Sequence, residues 1–186
     1  IHASLLAAGV KAGTSVVAAL DVYGATFSLL RSLFESLGVK VRMVNVTDHA
    51  EVETALKETG AVVLYVESIS NPLLKVADIP FLSGLAHRHG ASLLVDNTFA
   101  SPYLFNPFKY GADFVIHSAT KYLNGHNDVL GGVVLGTAPY VEEVRQKMMV
   151  WGQAPDPFAC WLLERGLKTL DVRVQRQNTN AMEIAT

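Results

Sequence analysis

Lys121 is a residue whose position suggests covalent chemistry. It lies in the segment His-Ser-Ala-Thr-Lys-Tyr-Leu-Asn-Gly-His, just after a short apolar run. A lysine at the end of a buried strand can be partly desolvated, which lowers its pKa and frees the amine to form a Schiff base. The alternative is an ordinary solvated lysine. The hydroxyls of Ser118 and Thr120 stand beside the amine and could hold a phosphate, although such residues in loops more often form turns.

Asp96 is a carboxylate at the end of the apolar run Leu-Leu-Val. This position is costly for a charged group unless the group is paired. Asp96 could cap a turn in Asp-Asn-Thr, or it could face the cationic ring nitrogen of a ligand. An aspartate paired with a pyridinium and a lysine that forms an imine are the two protein groups that pyridoxal phosphate requires. Asp96 and Lys121 together therefore favour a pyridoxal-phosphate site.

Two further polar residues follow predicted strands. Tyr23 precedes a glycine, and this placement can lay an aromatic ring over a flat ligand, although an isolated tyrosine more often packs in or near the core. Asn71, in Ser-Asn-Pro, either caps a turn or donates a hydrogen bond to the phenolic oxygen of the cofactor. Both interpretations stay open on the residues alone.

The elements that must position these side chains alternate between strand and helix. The predicted strands are residues 15–20, 39–44, 61–67, 92–96, 114–117 and 129–135. The predicted helices are residues 5–11, 26–37, 49–59, 79–89 and 140–150, the third of them capped by Asp48. This alternation predicts an α/β fold whose mostly parallel sheet is flanked by helices. Because ligands bind at the carboxyl ends of the strands in such sheets, we expect the polar residues there to converge.

Composition excludes several classes of protein. The 15 basic and 17 acidic side chains give a net charge of −2, which argues against a nucleic-acid binder. Half of the 186 residues are hydrophobic and only 17% are charged, which excludes disorder. The apolar runs are far shorter than the ~20 residues of a membrane-spanning helix. The single cysteine, Cys160, excludes an internal disulfide framework, and we expect a cytoplasmic protein.

Standard motifs of other enzyme classes are missing. The sequence contains no G-x-G-x-x-G, no G-x-x-x-x-G-K-[ST], no G-x-S-x-G and no H-E-x-x-H. Two alternatives to a pyridoxal-phosphate site stay open. One is a metal site, built from His117, His126 and Asp128 or from His87 and His89. The other is a cofactor-free module that uses the sheet as a scaffold for protein interactions.

The character of the chain changes at residue 151. Residues 152–157 are rich in glycine and proline, and residues 158–186 are helical in composition. We therefore expect a cofactor-binding domain over residues 1–150, incomplete at its N-terminus, and a linker and helix over 151–186 that lead to an absent domain. The basic and amide-rich end of this helix is expected to have no partner element in the chain. No initiator Met or targeting signal is present.

Four stretches carry a resemblance to a known family. They are Asp-Val-Tyr-Gly-Ala-Thr (21–26), Glu-Ser-Ile-Ser-Asn-Pro (67–72), Val-Asp-Asn-Thr-Phe-Ala-Ser-Pro (95–102) and His-Ser-Ala-Thr-Lys-Tyr-Leu-Asn-Gly-His-Asn-Asp-Val (117–129). The chain resembles the Cys/Met-metabolism family of pyridoxal-phosphate enzymes along nearly its whole length. That family contains cystathionine γ-synthase, cystathionine γ- and β-lyases, methionine γ-lyase and O-acylhomoserine sulfhydrylases. The resemblance implies the large domain of a fold-type-I pyridoxal-phosphate-dependent transferase.

The resemblance also implies roles for particular residues. Lys121 would be bonded to the cofactor and later move protons, and Asp96 would pair with the ring nitrogen. The other implied contacts are Ser118 and Thr120 with the phosphate, Tyr23 stacked on the ring as a possible acid or base, Asn71 near the ring oxygen, and Thr98 on the opposite ring face. The family's arginine for the substrate carboxylate lies in a domain absent from this sequence. That role is therefore not given to Arg165, Arg173 or Arg176.

The resemblance further implies an activity and an assembly. We expect γ-replacement on an O-acylhomoserine by cysteine to give cystathionine, as in a cystathionine γ-synthase. The segments at 124–129 and 173–178 favour the synthase only slightly over cystathionine γ-lyase, methionine γ-lyase or O-acylhomoserine sulfhydrylase. The family's N-terminal segment, which reaches the neighbouring subunit's phosphate, and the glycine-rich turn expected before Ile1 are not in the sequence. A homotetramer of dimers with shared active sites is the implied assembly.

Overall fold

The computed structural model describes all 186 residues as a six-stranded sheet flanked by helices. The strands are β1 (Ser15–Ala19), β2 (Lys40–Val44), β3 (Val63–Glu67), β4 (Ser92–Asp96), β5 (Phe114–Ser118) and β6 (Gly132–Gly136). The helices are α1 (His2–Ala7), α2 (Gly24–Ser28), α3 (His49–Thr59), α4 (Ile79–Arg88), α5 (Ser101–Leu104), α6 (Ala138–Trp151), α7 (Pro157–Leu167) and α8 (Leu170–Ala185). π-helical turns at Leu29–Phe34 and Ala119–Leu123 and a 3₁₀ turn at Pro107–Tyr110 complete the chain.

The sheet has the strand order β2-β1-β3-β4-β5-β6 and confirms the predicted mostly parallel α/β fold. The first five strands pair in parallel, and β6 runs antiparallel to β5. The strands β1 and β3 are buried along their whole length, as their apolar runs predict. The chain changes direction across the sheet between β1 and β3, so the loops after these strands diverge and open a crevice at the carboxyl edge.

The largest differences from the predicted helix ranges are at α1 and α2. The helix predicted over residues 26–37 begins two residues earlier, at Gly24, and passes into the π-helical turn Leu29–Phe34. Helix α1 ends at Ala7, and a glycine with a φ of 87°, Gly9, follows it, well before the predicted end at residue 11. The predicted cap of α3 is confirmed, because a carboxylate oxygen of Asp48 accepts the amide of Glu51 at 3.1 Å.

The last strand starts later than predicted. Residues 129–131 belong to the loop before β6, because Gly131 turns back to the segment that follows β5. Its carbonyl oxygen accepts the amide of Ala119 at 2.9 Å, and its own amide donates to the hydroxyl of Thr120 at 3.0 Å. This exchange ties the loop before β6 to the turn that carries Lys121.

One large apolar core lies around the sheet, and its largest fully buried side chains include Tyr65, Phe34 and Phe114. A second, small cluster of Leu123, Leu170 and Val174 joins α8 to the turn at Ala119–Leu123. Burial of a leucine side chain stabilises a fold by about 1.5–3 kcal/mol, so this cluster holds α8 against the end of the sheet. No helix of the structure is both long and apolar enough to cross a membrane.

The expectation that the basic end of the chain lacks a partner element is wrong for Arg173, whereas residues 175–186 are exposed. Arg173 of α8 donates to the carbonyl oxygens of Tyr122 at 2.9 Å and of Gly166 at 2.8 Å. Helix α7 approaches the same turn closely because its Gly166 has no side chain, and an added Cβ would lie 2.2 Å from the carbonyl oxygen of Asn124. The hydrogen-bond partners of Arg173 are therefore backbone carbonyl oxygens, and no pattern of residue types reveals them.

Candidate active site

A cavity of about 500 Å³ opens at the carboxyl edge of the sheet, where β1, β3, β4 and β5 end. The structure brings all seven sequence-predicted residues to this one cavity: Tyr23, Asn71, Asp96, Thr98, Ser118, Thr120 and Lys121. Its wall also contains residues that sequence reasoning did not select: Glu67, Ile69, Phe99, Tyr122, Gly125, Asn127, Arg173 and Gln177. The cavity is thus a single site, built from loops that are remote in sequence.

Asp96 is held at the end of β4 by hydrogen bonds to one of its two carboxylate oxygens. Oδ1 accepts the amide of Thr98 at 3.0 Å and the hydroxyl of the same residue at 2.5 Å. Oδ2 accepts only a long hydrogen bond of 3.4 Å from the buried hydroxyl of Tyr65. Asp96 forms no ion pair with any side chain of the protein. Its charge is therefore oriented but not neutralised.

The negative charge of Asp96 acts on two buried neighbours. It contributes, after burial itself, to raising the pKa of Tyr65 well above its ordinary value. His117, on the neighbouring strand β5, is 4% exposed, and burial lowers its pKa while Asp96 acts in the opposite direction. Both groups are therefore uncharged near neutral pH, and neither supplies a positive partner for Asp96.

Thr98 connects the ends of β4 and β5. Its hydroxyl donates to Asp96 and at the same time accepts the amide of Ser118 at 2.8 Å. The amide of Asn97 donates to the carbonyl oxygen of Ile116 at 2.8 Å, which continues the pairing of the two strands past Asp96. One hydroxyl thus fixes the spacing between the carboxylate and the segment that leads to Lys121.

Lys121 lies in a π-helical turn directly after β5, and the turn is kinked at this residue. The expectation that its amine is partly desolvated is wrong, because the side chain is exposed and makes no hydrogen bond or ion pair. The physical reason is that the turn after the strand faces an open cavity, so that the lysine points into this cavity instead of the core. The amine is free to react with a ligand there.

Arg173 supports the same turn from outside the sheet. Its guanidinium donates to the carbonyl oxygens of Tyr122 and Gly166 and, through Nε, to the hydroxyl of Thr169 at 3.0 Å. It forms no salt bridge with an acidic side chain and lines the cavity with its remaining surface. Gly125, with a φ of 76°, lies beside it, and a Cβ there would lie 2.0 Å from the guanidinium, so that the arginine side chain would have to move.

Glu67, at the end of β3, is a buried carboxylate that sequence reasoning missed. Its Oε1 accepts the amide of Tyr23 at 2.7 Å, and its Oε2 accepts the amide of Asn71 at 3.2 Å. Burial raises the pKa of Glu67 from 4.5 to about 7, and the charge of Asp96 adds to this rise. The signal that could have found it is the one that identified Asp96, a carboxylate that ends an apolar run.

The residues of the alternative metal site have other partners. Asp128 accepts the side-chain amide of Asn124 at 2.7 Å, and Nδ1 of His126 lies 2.7 Å from the carbonyl oxygen of Asn124. Nε2 of His87 lies 2.8 Å from a carboxylate oxygen of Asp113. Asp113 directly precedes β5, whereas Lys121 follows the end of that strand. No three histidine, cysteine, aspartate or glutamate side chains come together in a geometry that could hold a metal ion.

The donor set of the cavity fits pyridoxal phosphate. The exposed amine of Lys121 suits an aldehyde, and the carboxylate of Asp96, which has no cationic partner, suits a protonated ring nitrogen. The hydroxyls of Ser118 and Thr120 can donate to a phosphate, and the ring of Tyr23 is 53% exposed beside them. The roles of these residues at the cofactor remain predictions. Nothing in the arrangement of the residues conflicts with the binding of pyridoxal phosphate.

Solved structures identify the class of fold. The structure superimposes on cystathionine gamma-lyase from Lactobacillus plantarum complexed with L-serine, with a TM-score of 0.92 and 38% identity over 98% of this chain and 48% of that one. Its fold is that of the large domain of fold-type-I pyridoxal-phosphate-dependent enzymes. The cavity at the carboxyl edge of the sheet lies where ligands bind in open α/β sheets.

The sequence profile of the Cys/Met metabolism PLP-dependent enzymes matches residues 2–186, and the chain belongs to that family. It is 40% identical to the L-methionine gamma-lyase of Porphyromonas gingivalis over 95% of this chain and 45% of the relative. It is 39% identical to a probable cystathionine gamma-synthase of Herpetosiphon aurantiacus over 94% of this chain and 55% of that relative. The chain spans about half the length of the curated relatives it matches.

Proposed function

We propose that the protein is a pyridoxal-phosphate-dependent trans-sulfuration enzyme that replaces the γ-substituent of an O-acylhomoserine with cysteine and forms cystathionine. The observation that carries this proposal is the convergence of Lys121 and Asp96, with the five other predicted residues, on one cavity. Membership of the Cys/Met metabolism family supports the cofactor and the reaction class. The two segments at 124–129 and 173–178 support the synthase among the activities of that family.

Pyridoxal phosphate, when bound, supplies an aldehyde for amines and a ring that withdraws electrons from the substrate carbon. We propose that Lys121 would hold the cofactor through its amine and, once the substrate amine has taken its place, would move protons at the α-carbon and the β-carbon of the substrate. Because the Lys121 side chain has no hydrogen-bond partner, it can reach either position without breaking an existing contact.

The other residues would bind and orient the cofactor. We propose that Asp96 holds the proton on the ring nitrogen and that the hydroxyls of Ser118 and Thr120 donate to the phosphate. The hydroxyl of Thr120 accepts the amide of Gly131 at 3.0 Å and donates a long hydrogen bond of 3.4 Å to the carbonyl oxygen of the same residue. Its proton would turn from that carbonyl oxygen to the phosphate. Tyr23 would cover one ring face.

Thr98 and Asn71 complete the proposed contacts, and Tyr23 has a second proposed role. Thr98 would pack on the ring face opposite Tyr23, and its bonds to Asp96 and Ser118 hold it at that depth. The side chain of Asn71 would donate to the ring oxygen, and its backbone amide is held by a carboxylate of β3. Tyr23 would also serve as an acid or base for the substrate.

The choice of substrate is tested by assaying the protein with two mixtures. O-succinylhomoserine plus cysteine should give cystathionine, whereas cystathionine alone should give little 2-oxo acid. Rapid release of a 2-oxo acid and ammonia from cystathionine or methionine would instead identify a lyase. Sulfide incorporation in preference to cysteine would identify an O-acylhomoserine sulfhydrylase. Absence of every one of these activities in the pyridoxal-phosphate-loaded protein would contradict the proposed reaction class.

We propose that the protein works as a homotetramer built from dimers with shared active sites. Large apolar side chains near the cavity support an assembly, since Leu73 and Leu74 are 58% and 63% exposed. Sedimentation analysis tests the assembly, and a monomer at micromolar concentration would contradict it.

We also propose that residues 1–150 form the cofactor domain and that residues 151–186 lead toward a further domain. The exposed free cysteine, Cys160, supports the proposed cytoplasmic location.

A further inference from the structure

We infer that Glu67 is a positioning residue that joins the Tyr23 segment to the Asn71 segment and so sets the shape of the cofactor cavity. This inference rests on the proposed function, because it assigns Glu67 a part in holding the two segments that would contact pyridoxal phosphate. Neither its burial nor its hydrogen bonds require the cofactor to be present. Glu67 would act through Tyr23 and Asn71 and not on the substrate itself.

The geometry of Glu67 is that of a clamp between two loops. Oε1 accepts from Tyr23, at the start of α2, and Oε2 accepts from Asn71, in the turn after β3. Neither of these backbone amides donates to a backbone carbonyl. The carboxylate is therefore the acceptor that satisfies both donors, and it joins the turn after its own strand to a segment 44 residues earlier in the sequence.

The position of the Tyr23 ring depends on this clamp. The ring is 53% exposed and its hydroxyl makes no hydrogen bond within the protein, so the side chain is placed mainly by the backbone that carries it. The amide of that backbone is held by Glu67 at 2.7 Å. Loss of the carboxylate would leave the amide without an acceptor and allow the start of α2 to move relative to β3.

The retention of a buried acidic group at this position supports a functional role. Glu67 is 7% exposed and has no cationic partner, and the parallel register of β3 and β4 places it beside Asp96. Two carboxylates in adjacent register positions repel each other, and burial penalises the charged form of Glu67. A glutamine would avoid the charge, but its amide nitrogen would face a backbone donor in place of one acceptor oxygen.

The test is a titration of apo protein with pyridoxal phosphate, followed by absorbance and by circular dichroism of the bound cofactor. We expect Glu67→Gln to weaken binding by about tenfold or more, since one buried donor is left unsatisfied. The circular dichroism band of the bound cofactor should also decrease, because the surroundings of a less firmly held ring are less asymmetric. Glu51→Gln is the matched control: its carboxylate accepts the amide of Asn45 at 3.1 Å, outside the cavity.

A double-mutant cycle separates positioning from general stability. In a Tyr23→Ala background, Glu67→Gln should weaken binding by less than about threefold, because the ring it positions is gone. Full additivity of the two substitutions, or binding by Glu67→Gln equal to that of the wild type, would overturn the inference. If Glu67→Gln does not fold, Glu67→Asp is the second variant, because it keeps both oxygens on a shorter side chain. We expect Glu67→Asp to lose part of the affinity for pyridoxal phosphate, and an affinity equal to that of the wild type would overturn the inference. Failure of the wild-type protein to bind the cofactor would instead contradict the proposed function.

Discussion

Thr98 donates two hydrogen bonds to the same oxygen of Asp96, one from its amide at 3.0 Å and one from its hydroxyl at 2.5 Å. The other carboxylate oxygen of Asp96 receives only the long bond from Tyr65, at 3.4 Å. One oxygen is thus used to fix the orientation of the carboxylate, and the other keeps the capacity to bind a cation. This division explains how a charge can be retained at the end of a buried strand and what it is retained for.

Asp96→Asn should abolish most of the activity while leaving the fold intact. The amide has nearly the same shape and can still accept from Thr98, but it carries no charge to stabilise a proton on the ring nitrogen of the cofactor. We expect kcat to fall by about 100-fold or more. Steady-state assays with O-succinylhomoserine and cysteine measure this, with Asp48→Asn as a control at an exposed helix cap. Activity within about threefold of the wild type would contradict the assigned role.

Thr98→Val should weaken cofactor binding through Asp96 and Ser118. The substitution preserves the shape but removes a hydroxyl that donates to one residue and accepts from the other. An unsatisfied buried donor costs about 1–3 kcal/mol, so we expect pyridoxal-phosphate affinity to fall by about tenfold. Thr98→Ser, which keeps the hydroxyl, should retain most of the affinity. Equal affinities for the valine and serine variants would show that the hydroxyl has no such part.

Glu67 should make the stability of the apo protein fall as the pH rises. Its pKa is about 7 in the folded protein against an ordinary value of 4.5, so between these values the folded state holds a proton that the unfolded state has released. The stability contributed by this proton is full below pH 4.5 and is lost as the pH rises through about 7. Urea unfolding at about pH 5 and about pH 8 measures the change.

Glu67→Gln provides the comparison for this pH dependence. The amide does not titrate, so the variant should lose less stability than the wild type between the two pH values, and the difference belongs to Glu67. Other titrating groups, such as His117, contribute equally to both proteins and cancel. An identical loss of stability in the two proteins would contradict the raised pKa.

Arg173→Lys should disturb the turn that carries Lys121 although it preserves the charge. A lysine is a single point donor and cannot replace a guanidinium that donates to Tyr122, Gly166 and Thr169 together. We expect kcat to fall by about tenfold, with a smaller change in KM, because the reacting amine is displaced. The control is Arg176→Lys, which changes an exposed arginine on the same helix. Equal effects of the two substitutions would contradict the proposed support.

Most of the sheet and the core of the site could be predicted from the sequence. Apolar runs bounded by polar residues indicated buried parallel strands, and the ends of such strands meet at one edge, so Asp96 and Ser118 could be placed together. Tyr23, which follows β1, could be added for the same reason. The pattern is local and repeats with each strand, which is why residues far apart in sequence could be assigned to one cavity.

The supports of the site were harder to predict. Arg173 binds backbone carbonyl oxygens about 50 residues away, and any residue type presents the same carbonyl. Glu67 carries the signal of a carboxylate at a strand end, but its partners are again backbone amides. The exposure of Lys121 depends on the open cavity that its turn faces and not on the end of β5, which the sequence predicts to within one residue. Side chains that bind backbone therefore require a structure to be found.

The central claim is that Lys121 holds pyridoxal phosphate through its amine, and borohydride reduction tests it most directly. A bond between the amine and the cofactor aldehyde absorbs in the visible, and reduction should remove this band and leave the cofactor covalently attached to the peptide that contains Lys121. Mass spectrometry of the digested protein locates the attachment. The account predicts a single labelled lysine, and no label in Lys121→Ala. A colourless protein in the presence of pyridoxal phosphate, or a label that persists in Lys121→Ala, would contradict it.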